Sequence, residues 1–241
     1  ISGSGGTLSG GVKLKTDTPS NDADKIVFSG DNITISDATT AVQTTDGPIT
    51  VSGDGFTLEN NATVQSSSGA VSINGDNATL ASGATLQTTT SDITIAGDNG
   101  SIESAVQTTD GNVILSGSGI GLEGGKVTTA SGDITLTGSL NMTGDGALEA
   151  TSGTIAMNGA VTNATGGTEI LTLITDNAVT QTDTTGIDVD ALALQGPGTF
   201  TLDDADNQIS RLTAGSIAER VAALTVNNTG ALEVGTTAAG T

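Results

Sequence analysis

The chain has 241 residues and a formal net charge of −21, with 6 Lys plus Arg against 27 Asp plus Glu, and it contains no His, Cys, Tyr or Trp. This balance excludes a nucleic-acid groove and a polybasic membrane anchor, since both need cations to meet phosphate, and we expect neither nucleic-acid binding nor membrane insertion. The missing residue types also exclude zinc fingers, thiolate or imidazole catalysis and a Ser-His-Asp triad.

A hydrophobic fraction of 34% sets the chain apart from disordered acidic sequences, and its near-total lack of aromatics suits a thin core of short aliphatic side chains. No stretch approaches the ~20 apolar residues of a membrane helix. The start at Ile1-Ser2-Gly3-Ser4 is no signal peptide and lacks Met, which reads as a processed product or an excerpt of something longer.

In chain order, residues 1–32 read as irregular leading coils. Strand candidates at Val12 to Lys15 and Ile26 to Phe28 flank a polar loop, Thr16 to Asp24. Residues 33–166 then carry a regular repeat. Alternating triplets recur as Ile49-Thr50-Val51, Val71-Ser72-Ile73, Ile93-Thr94-Ile95, Val113-Ile114-Leu115, Ile134-Thr135-Leu136 and Ile155-Ala156-Met157, spaced 20 to 22 residues apart. A second aliphatic column runs Leu58, Leu80, Ile102, Leu122, Met142. A third runs Val42, Val64, Leu86, Val106, Val127, Leu148. All three keep step.

Alternation of apolar and polar residues is the signature of a strand with one buried face. Turn residues precede the triplets (Asp46-Gly47, Ser68-Gly69, Asp110-Gly111, Ser131-Gly132), and Gly-rich corners precede the second column (Gly53-Asp54-Gly55, Gly75-Asp76-Asn77, Gly97-Asp98-Asn99). Three short strands and three corners in about 21 residues make one coil of a solenoid. The expected fold is therefore all-β, a right-handed parallel β-helix with three strands per coil. Stacked coils turn the columns into inward ladders and place Gln43, Gln65, Gln87 and Gln107 in an outward one, where amides can bond along the axis.

Residues 167–241 read as less regular coils, with strand candidates at Ile170 to Leu173, Ile187 to Val189, Leu192 to Leu194 and Phe200 to Leu202. Ser216-Ile217-Ala218-Glu219 before Arg220 has the form of a capped helix turn. The favoured alternative is a decorated coil continuing into Leu224-Thr225-Val226 and Leu232-Glu233-Val234.

The phrase Gly69-Ala-Val-Ser-Ile-Asn-Gly-Asp-Asn-Ala-Thr-Leu-Ala-Ser-Gly-Ala-Thr-Leu-Gln87 resembles the repeats of filamentous-haemagglutinin-type exoproteins. So do Phe200 to Ile209 and Leu224 to Val234. The resemblance implies a β-helical shaft from a large bacterial surface or secreted adhesin.

Catalytic chemistry finds little to stand on. The cations Lys13, Lys15, Lys25, Lys126, Arg211 and Arg220 are scattered, and although Asp203, Asp204 and Asp206 offer a carboxylate pair, there is no aromatic sugar platform. Asp46, Asp54, Asp76, Asp98, Asp110 and Asp145 occupy Gly-containing corners, where Asp serves as a turn former or as an oxygen ligand for weakly held calcium. Thr88-Thr89-Thr90, Thr108-Thr109 and Thr128-Thr129 are fragments of the Thr lattice that an ice-binding face would need. Asn-x-Ser/Thr sequons start at Asn32, Asn61, Asn77, Asn99, Asn141, Asn163 and Asn227.

We assign no catalytic, cofactor-binding or metal residues, and expect no enzyme activity and no cofactor. The expected function is a structural shaft segment of a bacterial extracellular filament or surface adhesin, located outside the cell or at its surface. Its expected partners are further copies or flanking coils of the same filament, and surface glycans of a host or neighbouring cell. The alternative is a carbohydrate-binding or carbohydrate-cleaving β-helix domain.

Overall fold

The structure, a computed structural model, describes residues 3, 5–16, 25–59, 61–163, 167–182, 185–215 and 220–235. It is all β: three parallel sheets of ten, eight and eleven strands wrap one core in about nine turns. In a typical coil Ile49–Ser52 lies in the first sheet, Thr57–Leu58 in the second and Thr63–Ser66 in the third. The next coil repeats the path with Val71–Asn74, Thr79–Leu80 and Thr85–Thr88. This is the parallel β-helix that the repeat predicts.

Register confirms the columns residue by residue. Ile93 pairs with Val71 and Val113, Leu80 with Leu58 and Ile102, and Leu86 with Val64 and Val106. The side chains of all three columns from Val42 to Met157 are buried, Ile95 being the most exposed at 4%. Each is covered by its equivalents above and below, so the core is a set of aliphatic stacks held by strand-to-strand pairing. At roughly 25 cal/mol per Å² of apolar area, burial of this kind accrues coil by coil and offsets the ordering cost only once coils are stacked.

Two glycine columns let the coils approach. An added Cβ at Gly97 would lie 2.1 Å from the carbonyl oxygen of Gly75, and one at Gly132 would lie 1.9 Å from that of Gly111. The carbonyl of the preceding coil already fills the space where a side chain would start. Asn32, Asn61, Asn77 and Asn99 also turn corners, at φ between 56° and 63°, a left-handed conformation that Asn tolerates. All four begin sequons. The solenoid thereby supplies a structural origin for the pattern: a left-handed Asn, an inward residue, then an outward Ser or Thr.

Beyond Asn163 the coil changes shape. The second sheet ends at Val161–Asn163, and the third-sheet strands lengthen to Ile170–Thr175, Asp188–Gln195 and Gln208–Ala214. Val161 bridges Ile187, so the strand that follows passes from the second-sheet position into the third sheet without a sharp corner. The inward residue at that corner explains the change. It is Thr40, Ala62, Ala84, Ser104, Gly125 and Gly146 in successive coils, then Leu171, Leu192 and Leu212. Small residues leave room to turn; leucine fills the corner and the strand runs on.

The leading candidates form Lys13–Thr16 and Ile26–Ser29, and the trailing ones Thr199–Leu202, Ala223–Val226 and Glu233–Val234. The last two continue the first and third sheets, as the decorated-coil reading expects. The helix-turn candidate at 216–219 and most of the polar loop at 16–24 lie outside the described residues.

Candidate functional site

Surface chemistry follows from register. All thirteen acidic residues from Asp31 to Asp145 sit in corners and none in a strand, which leaves the sheet faces of those coils without carboxylates. In the corner after the first sheet, Asp31 Oδ1 accepts the backbone N–H of Asp54 at 3.1 Å. Asp54 accepts that of Asp76 at 3.1 Å, Asp76 that of Asp98 at 2.8 Å, and Asp98 that of Ser118 at 2.7 Å. The Ser118 backbone and hydroxyl hold the Asp98 carboxyl below its ordinary value. A second staircase in the corner before the first sheet runs Asp92, Asn112, Asp133 and Thr154, with backbone donors at 2.7 to 2.9 Å. These carboxylates each satisfy a corner N–H of the next coil.

The third sheet presents two outward ladders: Ala41, Thr63, Thr85, Ala105 and Gln43, Gln65, Gln87, Gln107. A hollow of about 550 Å³ lies over them, with Lys13 at one end and Thr39 and Thr40 on its side. It runs on into a second hollow of about 440 Å³ that shares Gln87 and Gln107 and reaches Thr128 and Glu149. Together they form a trough along the rod. The four Gln stand in register as the sequence predicts, but axial bonding of their amides is seen at one step, where Gln107 Nε2 donates to Gln87 Oε1 at 2.7 Å. Among the described residues, no side-chain hydrogen bond engages the amides of Gln43 and Gln65. An ion pair of Lys126 with Glu149 at 2.5 Å marks the far end.

The carboxylates considered for catalysis are divided. Asp204 is turned inward at 4% exposure, accepting the backbone N–H groups of Thr185 and Asp206, each at 2.7 Å, while Asp203 and Asp206 are exposed. Arg211 pairs with Asp190 and Lys126 with Glu149. Among the described residues, no three acidic side chains converge as a metal site. The threonine runs straddle strand ends: Thr88, Thr108 and Thr129 are buried, whereas Thr89, Thr90 and Thr109 are exposed in corners. They form no flat lattice.

Two polar features escape the sequence reading. Thr44, Ser66, Thr88, Thr108, Thr129 and Thr175 form a buried hydroxyl column at the end of the third-sheet strands. Their hydroxyls serve the adjoining corner, as when Thr129 Oγ1 donates to the Gly111 carbonyl and accepts the Gly132 N–H, both at 2.9 Å. Strand alternation, which places each two residues after an inward aliphatic, was the available signal. Further along, Gln181 Nε2 donates to Asn207 Oδ1 at 2.8 Å and Asn207 Nδ2 returns a bond at 3.1 Å, a reciprocal amide pair inside the core. No local pattern announces that pairing across 26 residues.

Comparison with family models, with curated proteins and with solved structures finds no match for the chain.

Proposed function

We propose that this chain is a structural shaft segment of a bacterial extracellular filament or surface adhesin, as the resemblance of its repeats to filamentous-haemagglutinin-type proteins suggests. The observation that carries the reading is the continuous in-register stacking of coils, of one three-sheet design as far as Asn163 and continued by the first and third sheets beyond it. Every coil covers the next, and the chain's chemical effort goes into ladders along the axis. At about 4.8 Å per coil, nine turns span roughly 40 to 45 Å. A rod with carboxylates along its edges resists aggregation by charge while its ladders keep it stiff.

On this reading the protein is not an enzyme, and it works outside the cell by holding a distal part away from the surface or by building a fibre. Flanking coils or further copies would cover its open strand edges, which otherwise invite association. Electron microscopy of the native source is the test. Long thin rods with an axial repeat near one coil spacing are expected; compact particles that turn over a polysaccharide would overturn the proposal.

A further inference from the structure

The trough on the third sheet is a concave surface that the shaft role leaves unused. Beyond Lys13 and Lys15, which head the same two ladders at its leading end, its floor from Ala41 to Gln107 holds no charge, in a chain of net charge −21. The rims are the opposite. Glu59, Glu103 and Glu123 occupy the corner leading into the sheet, and Asp46 and Asp110 the corner leading out. An anionic polymer lying in the trough would run between two lines of carboxylates, whereas a neutral one meets no such penalty.

The floor specifies the ligand further. Gln amides and Thr hydroxyls each offer donors and acceptors together, and they recur with the coil spacing of about 4.8 Å. The amides of Gln43 and Gln65 are half-buried and unengaged among the described residues. An extended ligand dense in hydroxyls, donating and accepting at a similar interval, satisfies them. A second copy of the same face fits less well, because two hollows set against each other enclose space rather than fill it.

We infer that the third-sheet trough binds an extended, neutral, hydroxyl-rich polysaccharide lying along the rod axis, with Gln43, Gln65, Gln87 and Gln107 as its principal contacts. Without an aromatic platform each sugar contact is weak. Binding gains strength by repetition along the ladder, and so favours long chains over short oligosaccharides. This goes beyond the shaft reading and does not depend on it, since the trough occupies a single stack of coils whatever length the native rod reaches.

The test is native electrophoresis through gels containing hydroxyethylcellulose, galactomannan or carboxymethylcellulose. Retardation by at least one of the two neutral polymers is expected to exceed that by the carboxymethylated one at least threefold. The paired change Gln65→Glu and Gln87→Glu should abolish it, and Gln65→Ala with Gln87→Ala should weaken it. Ser72→Glu with Thr94→Glu, which adds the same charge to the outward face of the first sheet, should leave it intact. Circular dichroism melts confirm that each variant is folded. Retardation by neither neutral polymer, equal retardation by the anionic one, or equal loss in the first-sheet variant would each overturn the inference, and none bears on rod length.

Discussion

At the scale of single residues, the corners are where side chains do the most specific work. Ser104 is 4% exposed, and its Oγ is buried with no hydrogen-bond partner. The equivalent positions in the two preceding coils are Ala84 and Ala62. A buried, unsatisfied hydroxyl costs on the order of 1 kcal/mol or more, so Ser104→Ala should stabilise the protein by about 1 kcal/mol in urea titrations. Destabilisation by that amount would show that the hydroxyl is bound after all.

Asp37 is the contrasting case. The hydroxyl of Thr39, then the backbone N–H groups of Thr39 and Gly10, lower its carboxyl from 3.8 to about 2. Oδ2 takes the Gly10 N–H at 2.6 Å across 27 residues, tying the leading coil to the next. A lowered folded-state pKa means that the stabilisation is present above 3.8 and is lost as pH falls through about 2. Thr7 to Thr16 should therefore loosen ahead of the central coils over that window, seen as early loss of the Gly10 amide cross-peak in an NMR pH series. An Asp37 midpoint at its ordinary value would refute this.

At the scale of elements, contact between coils rests on what is missing. Gly132→Ala would place a methyl group 1.9 Å from the Gly111 carbonyl oxygen and 3.0 Å from the Asn112 nitrogen, both backbone. Relief requires the coils to part, so a loss of about 1 to 3 kcal/mol or more is expected by thermal or urea unfolding. Gly6→Ala, with open space around its Cβ, serves as the near-neutral control. The strands themselves were legible in sequence because alternation and a constant period reinforce each other, and Ile49, Leu58 and Val42 each head a column visible by eye. The change of cross-section after Asn163 was visible only as a loosening period. Its cause lies in a corner column whose earlier members (Thr40, Ala62, Ala84) look like ordinary turn residues. The Gln ladder was legible too. That a trough lies over it depends on the corner loop at Ala38 to Thr40 and on Lys13 from the preceding coil, which repeat arithmetic does not place.

At the scale of the whole molecule, the chain separates tasks by geometry. Aliphatic stacks and glycine contacts hold the coils together, while from Asp31 to Asp145 the carboxylates line the corners and leave the sheet faces of those coils uncharged by acid. Each coil depends on its immediate neighbours: hydrogen bonds and buried contacts link equivalent positions about 20 to 28 residues apart. Stability in such a stack is close to a sum of similar nearest-neighbour interfaces.

That sum has a mechanical side. Because one coil winds about 21 residues into an axial rise of only about 4.8 Å, pulling a single coil loose pays out roughly 70 Å of extended chain. A stack pulled until it sheds one coil lengthens by more than ten times what it gives up in height, while the coils behind it keep their own interfaces. Under a pull strong enough to unwind it, such a stack would release its length coil by coil, in increments set by the 20 to 28 residues of each turn.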